Sequence, residues 1–142
     1  MPKTKLRKLK EKADELVKQI VRLRDEWTCQ KCDKYLVHDT PGQRKNIHTV
    51  HIMPRSSGNV LRWDLLNVCV GCFHCHQRSH IRADLQWFKN KFPARWEYLH
   101  QDVLTDGVIK SRHQHIKQYR VADMKYLISE LELKLEQLRV EK

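Results

Sequence analysis

Two Cys-x-x-Cys pairs constrain this chain more than any other feature. They are Cys29-Gln-Lys-Cys32 and Cys72-Phe-His-Cys75, with residues 33 to 71, 39 positions, between them. Four thiolates meet the tetrahedral preference of Zn²⁺ and leave no open position, so such a site is structural. Cys69-Val-Gly-Cys72 offers a competing second half. We assign the ligands as Cys29, Cys32, Cys72 and Cys75, because a knuckle at the start of a helix is a common arrangement and a helical pattern begins at Cys75. Cys69 then falls in a strand as a small buried residue. The long gap leaves room for a strand–loop–strand insert before that helix.

Charge and composition narrow the class. Lys and Arg number 28 against 17 Asp and Glu, a net charge of +11, which favours a polyanionic partner such as DNA. No apolar run approaches the ~20 residues of a membrane span. The N-terminus is basic without an apolar stretch behind it, which does not match a signal peptide. A cytoplasmic protein is expected, and five Cys in a reducing compartment point to metal rather than disulfides. With few apolar residues in the middle of the chain, a metal is also what a small core needs.

In chain order, residues 1 to 26 read as a basic heptad helix. Leu6, Leu9, Ala13, Leu16, Ile20, Leu23 and Trp27 alternate at spacings of three and four. Pro2 and Thr4 suit its start. Lys5, Arg7 and Lys8 make its tip positive and are candidate phosphate contacts. Residues 27 to 93 form the metal-bound core. Ile47, Val50, Ile52 and Met53 make a first strand ended by Pro54, Ser56 to Asn59 a turn, and Leu61 to Val70 the return. The helix from Cys75 carries Ile81, Leu85 and Phe88 and is expected to stop at Pro93. Residues 94 to 142 form a C-terminal helical extension. It contains a short helix near Trp96, a turn at Asp106-Gly107, a basic loop with exposed His113 and His115, and a last helix over 122 to 140. Ile128, Leu131, Leu135 and Leu138 give that helix a second seam. The two seams can close on each other or pair between chains.

The insert holds the residues for chemistry. Hydrolysis of a phosphodiester needs a base for water and a cation for the developing charge. His51 closes the first strand, Asn67 follows sixteen residues later, His76 nine after that and His80 four further on. His51 is the candidate base and Asn67 holds the hairpin and orients it. His76 and His80, at i and i+4 on one helix face, can point at one cation. Arg55 and Arg62 are candidate grips on the DNA backbone.

This order and spacing inside a four-Cys frame resemble the His–Asn–His (HNH) endonucleases. The Leu61-Arg62-Trp63-Asp64-Leu65-Leu66-Asn67 segment with both Cys pairs is similar to the NinG/Rap family of phage recombination nucleases, and the frame to junction resolvases of the endonuclease VII type. The resemblance implies an α+β fold: a small zinc-stabilised treble-clef ββα-metal core flanked by long N- and C-terminal helices. It also implies Mg²⁺- or Mn²⁺-dependent cleavage of branched DNA such as Holliday junctions, and a homodimer through the terminal helices. A phage-encoded protein in a bacterial cytoplasm would fit.

Two departures matter. Many HNH enzymes carry a metal-ligating Asp or His directly before the base, where this chain has Val50. His48 is a substitute, although strand alternation puts it on the face of Val50 rather than of His51. His76 stands where the junction resolvases have Asn. The rival expectations are a nicking or restriction-type HNH enzyme, and a zinc-finger DNA-binding protein without catalysis.

Overall fold

The computed structural model describes residues 2–56, 58–78 and 84–141. Helix α1 (Lys5–Arg24) starts where Thr4 caps it, its side chain accepting from the Arg7 N–H. A single turn, α2 (Pro41–Arg44), leads into strand β1 (Ile47–His51). A 3₁₀ turn, Leu65–Asn67, leads into β2 (Val68–Cys72). Then follow a wide π-type turn over His74–Arg78, α3 (Gln86–Lys91), α4 (Pro93–His100), a hairpin of β3 (Asp102–Thr105) and β4 (Val108–Ser111), and α5 (Val121–Glu141). The molecule is thus a small α+β structure with two two-stranded antiparallel sheets.

The expected first hairpin forms, with β1 shorter at its end and β2 starting later than the apolar runs suggested. Ile47 pairs with Cys72, Val50 with Cys69 and His51 with Val68. Ile52 and Met53 leave the strand because they turn inward to the core beside Asn67.

α1 is central. Ala13, Leu16, Val17, Ile20 and Val21 are buried on it, covering more of its circumference than one seam requires. α5 runs parallel to it: Lys12 meets Glu132 at 3.8 Å and, one heptad on, Arg139 reaches Gln19 at 3.4 Å. Met124, Ile128, Leu131, Leu135 and Leu138 fill the seam between them. The in-chain alternative for the two heptads is therefore the one this structure holds. The C-terminal end of α1 is bolted to β2. Asp25 accepts from the Val70 N–H at 2.9 Å, while the Arg24 guanidinium donates to the Leu65 and Val68 carbonyls.

Three local expectations are corrected. The helix after Cys75 is not one continuous element in the described residues: a π-type turn precedes α3, and Phe92 ends α3 so that Pro93 opens α4, where a missing N–H costs nothing. Ile81 lies outside the described residues. The expected turn at Asp106-Gly107, with φ +52° and +79°, joins two strands the sequence did not announce, so residues 102 to 111 form a hairpin inside the extension expected to be helical. His115 is buried, not exposed, because its Nε2 lies 2.8 Å from the Val103 carbonyl and 3.1 Å from that of Lys110, pinning the hairpin from below. The 54–66 loop is pinned to the same region. Asn59 and Lys117 exchange two hydrogen bonds of 2.7 Å, and a Cβ on Gly58 would come within 2.6 Å of the His115 carbonyl.

Candidate metal centre and nuclease site

Cys29, Cys32, Cys72 and Cys75 converge, their sulfurs all within 4.8 Å of one another. Each pair sits at a turn built for it. After α1 the chain reverses through Glu26 and Trp27, both at positive φ, and Asp33 does the same after Cys32, its N–H donating to the Cys29 carbonyl at 2.8 Å. Cys72 ends β2, and the following turn brings Cys75 back so that its N–H lies 3.4 Å from the Cys72 sulfur. α3 latches the first knuckle, with Lys91 on the Gln30 carbonyl and the Asp33 carboxylate.

The set fits one tetrahedral ion. Thiolates at ~2.3 Å from a metal lie roughly 3.8 Å apart, and Cys32 and Cys72 are 3.9 Å apart, sulfur to sulfur. Burial pushes the Cys29 thiol up, but N–H groups of Cys32, Cys72 and Lys31 outweigh it and bring the thiol below its ordinary range. Burial pushes the Cys32 and Cys75 thiols up, and that of Cys69 likewise. Cys69 is fully buried in β2, and burial pushes its thiol up to about 12, with Asp25 adding to the rise. The ligand assignment to Cys72 and Cys75 rests on the convergence of the four sulfurs, which leaves Cys69 as the spare thiol in the core.

The residues expected to carry nuclease chemistry are distributed around the first hairpin. His51 is half-buried, with Nε2 2.9 Å from the Arg62 carbonyl. That carbonyl can only accept, so Nε2 carries the proton and Nδ1 is the basic nitrogen. Asn67 is wholly buried. Its oxygen accepts from the Met53 N–H at 2.8 Å, and its amide donates to the Met53 and Leu61 carbonyls. It acts on His51 through backbone: it fixes the chain two residues beyond His51 and one residue before Arg62.

His48 and His76 meet at 2.7 Å between their Nδ1 atoms, with rings perpendicular. At this distance one Nδ1–H donates to the other Nδ1. Two imidazole nitrogens on one tetrahedral ion at ~2.1 Å stand roughly 3.4 Å apart, so sharing a cation would require the rings to part slightly. His80 lies outside the described residues. Among the described residues, the four cysteines are the one group of three or more potential ligands drawn together. Val50 is buried against Cys69 and offers no ligand.

The expected DNA contacts divide. Lys5, Arg7 and Lys8 are exposed on α1, Arg7 within 3.5 Å of Glu11. Arg62 is engaged internally. It makes a two-pronged bond to Asp14 at 2.7 and 3.1 Å, lies over the Trp63 ring, and shares Asp14 with the Trp63 indole N–H. Arg55 reaches the same carboxylate at 4.0 Å. A cationic groove that had not been anticipated opens instead beside His48 and His76. It measures about 690 Å³, and Lys18, Arg22, Arg44 and Lys45 line it. Lys18 and Arg22 lie four residues apart and hence on one helix face, a signal available in the sequence. No protein-family profile, curated protein or solved structure matches this chain.

Proposed function

We propose that this protein is a metal-dependent DNA endonuclease of the HNH class, acting on branched DNA. The meeting of His48 on β1 with His76 in the turn after Cys75 carries the proposal. The pair would offer two imidazoles to a cation at the junction of a hairpin and a thiolate-held turn, the arrangement a ββα-metal centre calls for. The Cys ion would be zinc, with a structural role. A divalent cation such as Mg²⁺ or Mn²⁺ at the imidazole site supplies stabilisation of charge on the phosphate and the leaving oxygen. His51 takes a proton from water at Nδ1, the tautomer being held by the Arg62 carbonyl. Asn67 keeps that carbonyl in place.

A grip made by Lys and Arg carries little sequence information, so the enzyme would select DNA by shape. The NinG/Rap resemblance points to recombination intermediates and to a bacterial cytoplasm infected by phage. Paired cuts across a junction need two centres. With the α1 and α5 seams occupied by each other, a homodimer would use the outer face of α5, where Tyr126, Leu133 and Val140 stand exposed at intervals of seven. No helix of the described residues is long and apolar enough to cross a membrane.

A zinc-folded DNA-binding protein without catalysis is the second reading, favoured by the buried Val50 before the base. The deciding experiment incubates the zinc-loaded protein with Mg²⁺ or Mn²⁺ and labelled linear, nicked, flapped and four-way-junction DNA, with His51→Ala in parallel. Cleavage of branched DNA lost in the variant is the expected result. Cutting confined to one strand of linear duplex would favour a nicking enzyme. Binding without cutting, equal in both proteins under every metal, would leave the non-catalytic reading.

A further inference from the structure

Building on the nuclease assignment above, we propose that Arg22 and Arg44 form a clamp for a DNA phosphate in the groove beside His48 and His76. The groove joins three elements distant in sequence: the last turns of α1, the α2 turn, and β1 with the turn after Cys75.

The Arg22 guanidinium is half-buried there without a carboxylate partner. One of its terminal nitrogens donates to the Ile47 carbonyl at a long 3.3 Å, its Nε is buried with no hydrogen bond, and its planar face lies over Trp27 at 5.5 Å. Arg44 donates from Nε to the His38 carbonyl at 2.8 Å, and no ion pair involves it among the described residues. Glu15 is the one acid lining the groove, and Lys18 already approaches it at 3.7 Å. Burial and the neighbouring Arg44 both make Arg22 harder to keep charged, with Glu15 opposing.

Cations held together at such a cost are unusual unless an anion completes them. The anion must offer several acceptors, because two guanidinium groups and two ammonium groups line the same groove. A phosphodiester does so, and planar guanidinium forks suit it. The position beside the two imidazoles would let this clamp hold a phosphate next to the proposed cation. Arg62, by contrast, has its fork filled by Asp14.

The test is binding, independent of cleavage. Fluorescence anisotropy of a short fluorescein-labelled duplex is followed across a salt series in Ca²⁺, for the full chain, Arg22→Gln, Arg44→Gln and, as control, Lys134→Gln, exposed on α5. Each groove variant is expected to weaken binding about tenfold and to lower the slope of log K against log salt by about 0.9, the mark of one lost phosphate contact. Lys134→Gln is expected to change both less. Wild-type affinity and slope in Arg22→Gln and Arg44→Gln would overturn the clamp. So would displacement of the duplex by polyglutamate at equal charge concentration. If Arg22→Gln unfolds, exposed Arg44 and Lys45, changed together to Gln, decide alone. If the parent cuts no DNA yet the slopes fall as expected, the clamp stands and the nuclease assignment falls.

Discussion

His48 and His76, 28 residues apart in the chain, face each other nitrogen to nitrogen at 2.7 Å. One comes from a strand and the other from the turn that the thiolates hold, so their contact depends on both. Replacing either by Ala should raise the half-saturating Mn²⁺ concentration by about tenfold or more, ~1.4 kcal/mol. Titration followed by the electron paramagnetic resonance of free Mn²⁺ reads this directly. Unchanged binding in both variants would remove the cation site.

The four thiolates should bind one zinc per chain. Cys29→Ser or Cys75→Ser is expected to lose the ion and the cooperative unfolding transition with it. Cys69→Ala should keep full zinc by elemental analysis and cost only about 1 kcal/mol in a urea titration, the scale of a small core cavity. In the native zinc form at pH 8, Cys69 should react slowest with a thiol reagent, since burial holds it protonated up to about 12.

Asn67→Ala strips the partner from two backbone groups in the core, the Met53 N–H and the Met53 carbonyl, while the Leu61 carbonyl keeps the Asp64 N–H. Each buried orphan costs ~1–3 kcal/mol, so a total near 3 kcal/mol is expected from the shift of a urea midpoint. Cleavage should fall with it even where the chain remains folded, because the Arg62 carbonyl that sets the His51 tautomer is no longer fixed. A stable variant with parental activity would deny Asn67 its positioning role.

Tyr98 donates its phenol proton to Asp64, and burial first, then that bond, pushes the phenol from near 10 up to about 12. The native chain binds this proton more tightly than the unfolded one. Its contribution is therefore complete below pH 10 and is lost as pH rises through 12. Tyr98→Phe should lower stability at neutral pH, with the difference from the parent shrinking over that alkaline window. The phenolate absorbance of the parent minus that of Tyr98→Phe gives the titration independently of the other three tyrosines, and a difference transition near 10 would contradict the assignment.

Local spacing made much of this protein legible. The Cys pairs, the terminal heptads and the Asp106-Gly107 turn all announce themselves within a few residues. What stayed hidden depends on chain segments meeting across long separations. The Arg62 side chain looks like a DNA contact until Asp14, on the other side of the α1 seam, is seen to fill its fork. His115 reads as exposed in a polar run because nothing nearby in sequence says that two strand carbonyls will arrive above it. Arg22 lies just off the apolar seam of α1, where a cation normally faces solvent. Only the return of α2 and β1 turns that position into a groove. The direction of α5 along α1 was likewise unreadable, since heptads fit either in-chain or between-chain pairing.

Cys72 is both the final residue of β2 and a member of the sulfur cluster, and its partner across the ladder is Ile47. A shift of the ladder by one residue would turn each side chain of β2 to the opposite face. Gly71 or Phe73 would then stand where a sulfur is needed, and the tetrahedron could not close. An ion bound there would act as a proofreader of strand alignment, rewarding only the pairing that also sets His48 and His51 at their stations.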